Sequence, residues 1–532
     1  MERFAELLEA LTYTPSRNRK IALLSGYFNA TSDPDRGYAL ATLTSRMVFP
    51  SVKPSLYKSL ISQRMDPVLF DLSYDFVGDL AETISLCWPF SGQSEDIRLG
   101  ALVDMLGSAS RSDAPAIMAD LMDRFSPSSR YALIKMTTGG MRAGVSSGLV
   151  RQALAKLSGK TEEEIEDVWQ AGDAPYTELF RWLDGNGTKP GTGTAPRWRS
   201  FMLANPLAFD DAAKLNPDDY RAEWKWDGIR VQALSDGERT WLYSRTGEDI
   251  TSTFPDLVLP RGFAGSLDGE LLARRNDAQG LAPGTFNDLQ QRLNRKSPVP
   301  KLMESHPVFL RAYDLLFQNG EDLRTQPTLK RRDRLSEVLL TLKFANVDLS
   351  EAFSFTDFHY LDRLRQSPPD PAIEGIMLKR KDARYIAGRP AGLWHKWKKA
   401  PLTADVVLMY AQRGHGKRSG LYSDFTFGAW SDDGAVLLPV GKAYFGFTDE
   451  ELTGIDRFVR ANTIDRFGPV RSVRAEPEHG MVFEIEFDGI GYSPRHKSGI
   501  ALRFPRVSRL RFDKLPKDAD SVTDFRKLID PN

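Results

Sequence analysis

The chain reads as a multidomain α+β protein, with an all-α N-terminal part, a mixed α/β middle and a small β-barrel at its C-terminal end. Three observations predict that class. Its 532 residues exceed what one hydrophobic core organises, and a prior of about 150 residues per domain suggests roughly three. The apolar period is helical as far as about residue 183 and then shortens to the alternation of strands. Between the two regimes lies a Gly/Thr/Pro tract, residues 185–196, which cannot bury a core and reads as a flexible linker.

The expected boundaries are a helical domain over 1–184, the linker, a mixed α/β domain over 197–401, and a barrel over 402–532 that carries a basic C-terminal extension. In the first domain, Phe4-Ala5-Glu6-Leu7-Leu8-Glu9-Ala10-Leu11 and the run 149–157 place apolar residues at i, i+3 and i+4. In the second, Ile229-Arg230-Val231-Gln232-Ala233-Leu234 and Val308-Phe309-Leu310-Arg311-Ala312-Tyr313 alternate as strands do, and 328–343 reads as a helix. Past Pro401 the chain is strand-rich, with glycine-containing turns at 414–420, 432–434 and 488–489, the texture of a small barrel. No internal repeat is visible.

Composition narrows the class. Lys+Arg and Asp+Glu are 71 each, so net charge alone points to no polyanionic partner. Charge is nevertheless patterned: residues 379–399 hold eight Lys/Arg against Asp382 alone, and 494–517 repeat the imbalance against Asp513. The single cysteine, Cys87, allows no internal disulfide and no cysteine-based zinc site, and its apolar surroundings suggest an inert core thiol. No signal-peptide segment and no run of about 18 apolar residues is present, so a cytoplasmic protein without membrane contact is expected.

One run carries most of the chemistry: Arg221-Ala222-Glu223-Trp224-Lys225-Trp226-Asp227-Gly228-Ile229-Arg230. Alone, Lys-x-Asp-Gly is no more than a charged turn. Downstream, however, follow Ser244-Arg245-Thr246-Gly247-Glu248, Leu267-Asp268-Gly269-Glu270-Leu271, Ala312-Tyr313-Asp314-Leu315, Glu374-Gly375-Ile376-Met377-Leu378-Lys379, Trp394-His395-Lys396-Trp397-Lys398 and Leu502-Arg503-Phe504-Pro505-Arg506. In order and spacing the set resembles motifs I, Ia, III, IIIa, IV, V and VI of the ATP-dependent DNA ligase family, across residues 197–517.

The resemblance implies an all-α DNA-binding domain, a nucleotidyltransferase (adenylation) domain and a C-terminal OB-fold. It makes Lys225 the nucleophile that attacks ATP to form lysyl-AMP. A lysine amine with its usual pKa near 10.4 is protonated at neutral pH, and nearby cations favour the neutral form that attacks. Lys396 and Lys398, two apart on a strand, would share a face with Trp394 and supply that field. Glu270 and Glu374 are the candidate ligands for Mg²⁺ (or Mn²⁺), a hard cation that takes one or two carboxylates plus phosphate oxygens. By the same resemblance Tyr313 stacks on adenine, Glu223 positions it, Arg230 and Arg245 meet the ribose, phosphates or nicked DNA, and Lys379 meets the nucleotide. The arginine the family places six residues before the first motif V lysine falls on Pro390 here, and Arg389, one earlier, is assigned its role. Arg503 and Arg506 would orient the pyrophosphate leaving group.

Two basic or glycine-rich turns are assigned to DNA. Lys417 and Arg418 sit in 414–420, which lacks the spacing of a phosphate loop and reads as a basic hairpin loop. Gly139-Gly140 and Arg142 resemble a turn in the DNA-binding domain of larger DNA ligases, where backbone amides approach phosphates closely. The partner expected is nicked duplex DNA, engaged by a monomer; protein partners are not legible. NAD is disfavoured as cofactor, because NAD-dependent ligases resemble one another in a four-cysteine zinc site that one cysteine cannot build. Two other readings stay open at this point: an RNA ligase or capping-type enzyme, and a catalytically silent nick-binding protein.

Overall fold

The computed structural model describes all residues except 78, 91, 140, 142, 192–196, 276–279, 294, 296, 414–421, 444, 445, 468, 469, 494, 495 and 530–532. The chain divides into two compact units, one of Met1–Val145 with Pro401–Asn532 and the other of Ser146–Ala400. The sequence-expected boundary at 184 therefore falls inside the second unit.

That second unit opens with three helices, Ser147–Ser158, Glu162–Ala171 and Thr177–Leu183. Ser146 caps the first through Leu149 N, and Thr161 forms a capping box with Glu164 at the second. Charge fastens them to the segment beyond the linker. Arg151 meets Glu166 at 2.5 Å with both side chains buried, and Glu166 also accepts the Ser200 N–H at 2.9 Å. Asp167 pairs with Arg199 at 3.1 Å and lies 3.7 Å from Arg324.

Among the described residues eleven strands follow: β1 (Asn205–Pro206), β2 (Tyr220–Trp226), β3 (Ile229–Asp236), β4 (Thr240–Ser244), β5 (Ala264–Ala273), β6 (Val308–Gln318), β7 (Glu321–Asp322), β8 (Val347–Leu349), β9 (Ala352–Phe353), β10 (Ile373–Arg380) and β11 (Trp394–Lys398). They form two sheets, one ordered β1-β11-β10-β2-β9 and one ordered β4-β3-β5-β6-β7 with β8 on β6. The alternation expected at 229–234 and 308–313 lies in β3 and β6, and the helix expected at 328–343 is Thr328–Leu342. In β2, Tyr220, Ala222 and Trp224 enter an apolar cluster with Leu361, Ile376 and Trp397, which leaves Arg221, Glu223 and Lys225 on the opposite face. The second sheet has its own core of Val231, Leu267, Leu271, Leu310, Leu315 and Leu335.

In the first unit, helices run from Glu2–Tyr13 to Pro127–Thr138. Cys87 ends the helix Leu80–Cys87 and is half-buried, so it lies nearer the surface than the core position its apolar neighbours suggest. The C-terminal part is β-rich: β12 (Leu402–Arg413), β13 (Tyr422–Trp430), β14 (Leu437–Ala443), β15 (Thr463–Phe467), β16 (Val470–Val473), β17 (Val482–Phe487), β18 (Gly489–Tyr492), β19 (Ile500–Arg503) and β20 (Arg506–Leu510). Its main sheet runs β14-β13-β12-β16-β15, with β17 on β12 and β20 on β17; β18 and β19 pair separately. Helix Asp449–Asn462 places Leu452, Ile455 and Val459 against Phe425, Phe427 and Phe483. Among the described residues no hydrogen-bonded ladder joins the ends of this sheet into a ring. No helix among the described residues is long and apolar enough to cross a membrane.

Candidate active site

The Lys-x-Asp-Gly turn carries the chain from one sheet of the second unit to the other. Asp227 donates its N–H to Ala372 O at 2.8 Å, and β3 begins after Gly228. A Cβ on Gly228 would stand 2.4 Å from Leu271 O and 2.9 Å from Glu270 Cγ, so only glycine lets the turn pass this close to β5. Lys225 is thereby held beside the strand that carries Glu270.

A bulge brings the second carboxylate. Gly375, Met377 and Lys379 stand opposite Lys225, Glu223 and Arg221 on β2, and opposite Lys398, Lys396 and Trp394 on β11. Strict alternation would turn Glu374 to the other face. The register slips between Ile373 and Gly375, however, leaving Glu374 as the extra residue of the pair. Gly375 has φ 152°, and a Cβ there would meet Trp397 O at 2.3 Å. So turned, Glu374 accepts a hydrogen bond from Lys225 Nζ and pairs with Lys398 Nζ at 3.2 Å. Burial pushes the Glu374 carboxyl up, but Lys225 and Lys398 outweigh it and hold the group below its usual range.

Glu270 behaves oppositely. It sits on β5 with Arg230 of β3 and Arg311 of β6 as its cross-strand neighbours. Burial pushes its carboxyl up to about 8; Lys225 and Arg230 pull it down, while Glu374 and Asp268 push it further up. Arg230 is committed elsewhere: it forks onto fully buried Asp268 at 3.1 and 2.6 Å and donates to Met202 O at 2.6 Å. Arg311 forks onto Asp348 (2.6 Å at its shortest) and lies 4.1 Å over the Trp226 ring. Two carboxylates beside the lysine fit a hard divalent cation, whose charge would relieve the carboxyl that burial disfavours. Among the described residues no group of three or more His, Cys, Asp or Glu is placed to hold a metal. A cation here would therefore draw its other ligands from phosphate and water.

One pleat from Lys225, Glu223 is buried between two cations. Its Oε2 accepts from Lys379 Nζ at 2.8 Å and its Oε1 from Arg332 at 3.2 Å. Lys379 Nζ also lies 4.1 Å from the centre of the Tyr313 ring and 4.6 Å from that of Trp394, and burial lowers its ammonium pKa despite Glu223. Tyr313 is half-buried. Lys396 shares the face of Trp394 and Lys398, and its ammonium is lowered first by burial and then by Lys225, Arg389, Lys398 and Arg245. Exposed Arg245 and Arg389 thus belong to the same cationic field.

The structure therefore gathers Glu223, Lys225, Arg230, Arg245, Glu270, Tyr313, Glu374, Lys379, Arg389, Lys396 and Lys398 within one unit. Arg503 and Arg506 belong to the other. There Arg506 pairs with Glu486 at 3.0 Å and Asp488 at 2.9 Å, and Arg503 lies 5.2 Å from the Phe504 ring. Gly139 is the left-handed cap of helix Pro127–Thr138, and its N–H is spent on Lys135 O at 3.1 Å. Gly140, Arg142, Lys417 and Arg418 lie outside the described residues. Sequence reasoning missed Arg332, Asp268 and Arg311. A signal for Arg332 was present: Thr328, Arg331, Arg332, Leu335 and Val338 form the buried face of their helix, and an arginine there requires an acid partner.

Comparison with known proteins adds the family. A model described as the ATP dependent DNA ligase domain matches residues 201–398, and one described as the ATP dependent DNA ligase C terminal region matches 418–514. A probable DNA ligase of Koribacter versatilis (strain Ellin345) is 30% identical, covering 98% of this chain and 95% of its own. DNA ligase 1 of Korarchaeum cryptofilum (strain OPF8) is 29% identical, covering 100% and 98%. The solved structure described as Pmar-Lig_Pre shares the fold, with TM-score 0.61 at 16% identity over 96% of this chain and 99% of that one.

Proposed function

The chain belongs to the ATP-dependent DNA ligase family, and we propose that it seals 5′-phosphate/3′-hydroxyl nicks in duplex DNA through a lysyl-AMP formed on Lys225. It is an enzyme that forms phosphodiester bonds and uses ATP. The observation that carries the assignment of Lys225 is its hydrogen bond to Glu374 in a field shared with Lys396 and Lys398.

In this reading Lys225 Nζ, shorn of its proton, attacks the α-phosphorus of ATP; an N–P bond forms and the P–O bond to pyrophosphate breaks. AMP then passes to the 5′-phosphate at the nick, and the 3′-hydroxyl oxygen displaces it. Glu374, as the acceptor of its hydrogen bond, orients Nζ. Lys396, Arg245 and Arg389 offer cationic donors to phosphate oxygens. Tyr313 offers a ring face to adenine and Glu223 an acceptor to its amino group. Arg230, whose fork is taken by Asp268, acts by holding β3 and β5 in register. Glu270 and Glu374 would hold Mg²⁺ or Mn²⁺, which when bound supplies charge neutralisation to the phosphates.

The β-rich C-terminal part is read as an OB-fold whose Arg503 and Arg506 serve the nucleotide step, and residues 1–184 as the duplex-binding domain joined by the 185–196 linker. Gly140, Arg142, Lys417 and Arg418 remain proposed DNA contacts. The enzyme is read as a cytoplasmic monomer that works in repair. Incubation with labelled ATP, GTP and NAD side by side should label the wild type from ATP alone and leave Lys225→Ala blank. Label on the Ala variant at wild-type level refutes the nucleophile.

A further inference from the structure

We propose that Arg332 is a specificity-determining positioning residue: by fixing Glu223, it makes the nucleotide pocket select an amino-bearing purine over a keto-bearing one. This rests on the reading of Lys225 as the nucleophile. Glu223 is two residues before Lys225 on the same strand, so both side chains leave one face of β2. Its carboxylate is 2% exposed, too deep for water to orient it. Orientation must come from partners, and each oxygen has one: Oε1 the Arg332 guanidinium at 3.2 Å, Oε2 the Lys379 ammonium at 2.8 Å.

The two partners do different things. The Lys379 ammonium sits on a flexible stem against the rings of Tyr313 and Trp394, and a point charge there fixes distance but no plane. The Arg332 guanidinium is planar and anchored twice, on Glu223 and on the carbonyl of Ser350. Ser350 is itself tied to β6, its N–H donating to Ala312 O at 2.8 Å, one residue from Tyr313. Arg332 therefore links the acceptor that reads a base edge to the strand that carries the ring offered to the base face. A carboxylate only accepts, so held in this plane it welcomes the amino group of adenine and repels the keto oxygen of guanine or hypoxanthine.

The test is self-adenylation kinetics with ATP, GTP and ITP on wild type, Arg332→Met, Arg332→Lys, Glu223→Gln and the Arg332→Met/Glu223→Gln double variant, each also checked by thermal melting. Arg332→Met should lower the preference for ATP over ITP by about 10- to 100-fold, the worth of one hydrogen bond to a charged group. The change should fall on KM for ATP more than on kcat, and Arg332→Lys should restore part of it. In the double variant, preference should equal that of Glu223→Gln, because Arg332 acts only through Glu223. Unchanged preference in Arg332→Met and Arg332→Lys, whatever their total activity, overturns the proposal and leaves Arg332 a structural residue; so does additive loss in the double variant. Label persisting on Lys225→Ala would instead overturn the underlying reading.

Discussion

The raised carboxyl of Glu270 makes a prediction about stability that can be read without any assay of ligation. Its carboxyl goes from 4.5 to about 8 on folding, chiefly through burial. The folded protein then binds a proton that the unfolded chain has already released over that interval. The stabilisation is complete below 4.5 and is lost as pH rises through about 8. At roughly 1.4 kcal/mol per pH unit the whole span is worth about 5 kcal/mol. Glu270 is not fully shielded from solvent, so on the order of 2–3 kcal/mol is the working figure. Glu270→Gln keeps the shape and cannot ionise. In chelator-containing buffer, melting of wild type and Glu270→Gln from pH 5 to 9 should show the variant gaining on the wild type as pH rises from about 5 to 8, with the gain levelling off above 8. Divalent cation with nucleotide should shrink the gain, by stabilising the ionised wild-type carboxylate. A difference between the two proteins that stays flat over this range, or that widens against the variant at high pH, would refute the reasoning.

Three further outcomes are expected. Lys398→Met, which removes one of the two cations on Glu374, should slow labelling by ATP about 10- to 100-fold with melting little changed, since the side chain is 40% exposed; labelling at the wild-type rate would detach Lys398 from the site. Gly228→Ala should cost about 2 kcal/mol or more and abolish labelling, because its Cβ would lie 2.4 Å from Leu271 O; melting within a degree of wild type would contradict the contact. Removing residues 1–145 should spare labelling, weaken nick binding and flatten its salt slope by about 0.9 per lost phosphate contact, whereas removing 1–190 should also strip Arg199 and Arg324 of Asp167 and lower melting measurably.

Much of the site was legible because it rests on local pattern. Trp394, Lys396 and Lys398 share a face by alternation alone, and Lys225 and Glu223 do so for the same reason. Glu374 was legible by motif but not by geometry: alternation assigns it to the wrong face, and only pairing with Lys225 on one strand and Lys398 on another reveals the slip that turns it. Arg332 is 109 residues from Glu223, and nothing local to its helix names that partner. The helices 147–183 look continuous in composition with those before them. Their attachment to the Ser146–Ala400 unit depends on ion pairs with Arg199, Ser200 and Arg324, whose partners a single sequence does not disclose.

In the proposed reading Arg230 would serve phosphate chemistry without offering its charge to a phosphate. As a cross-strand neighbour it faces Glu270, and an uncommitted guanidinium there would neutralise that carboxylate. Instead its fork is spent on Asp268, whose own negative charge pushes Glu270 up while Arg230 pulls it down. Lys225 pulls Glu270 down as well, but its hydrogen bond goes to Glu374. Glu374 is compensated by two ammonium groups; Glu270, within the field of the same lysine, is left short of positive charge. A second cation from the protein at Glu270 would remove the reason for a metal to bind there. In the proposed reading the Arg230–Asp268 pair would leave Glu270 open to the divalent ion it shares with Glu374, and Asp268→Asn, by freeing Arg230 to turn to Glu270, should weaken dependence on the divalent ion's concentration as well as activity.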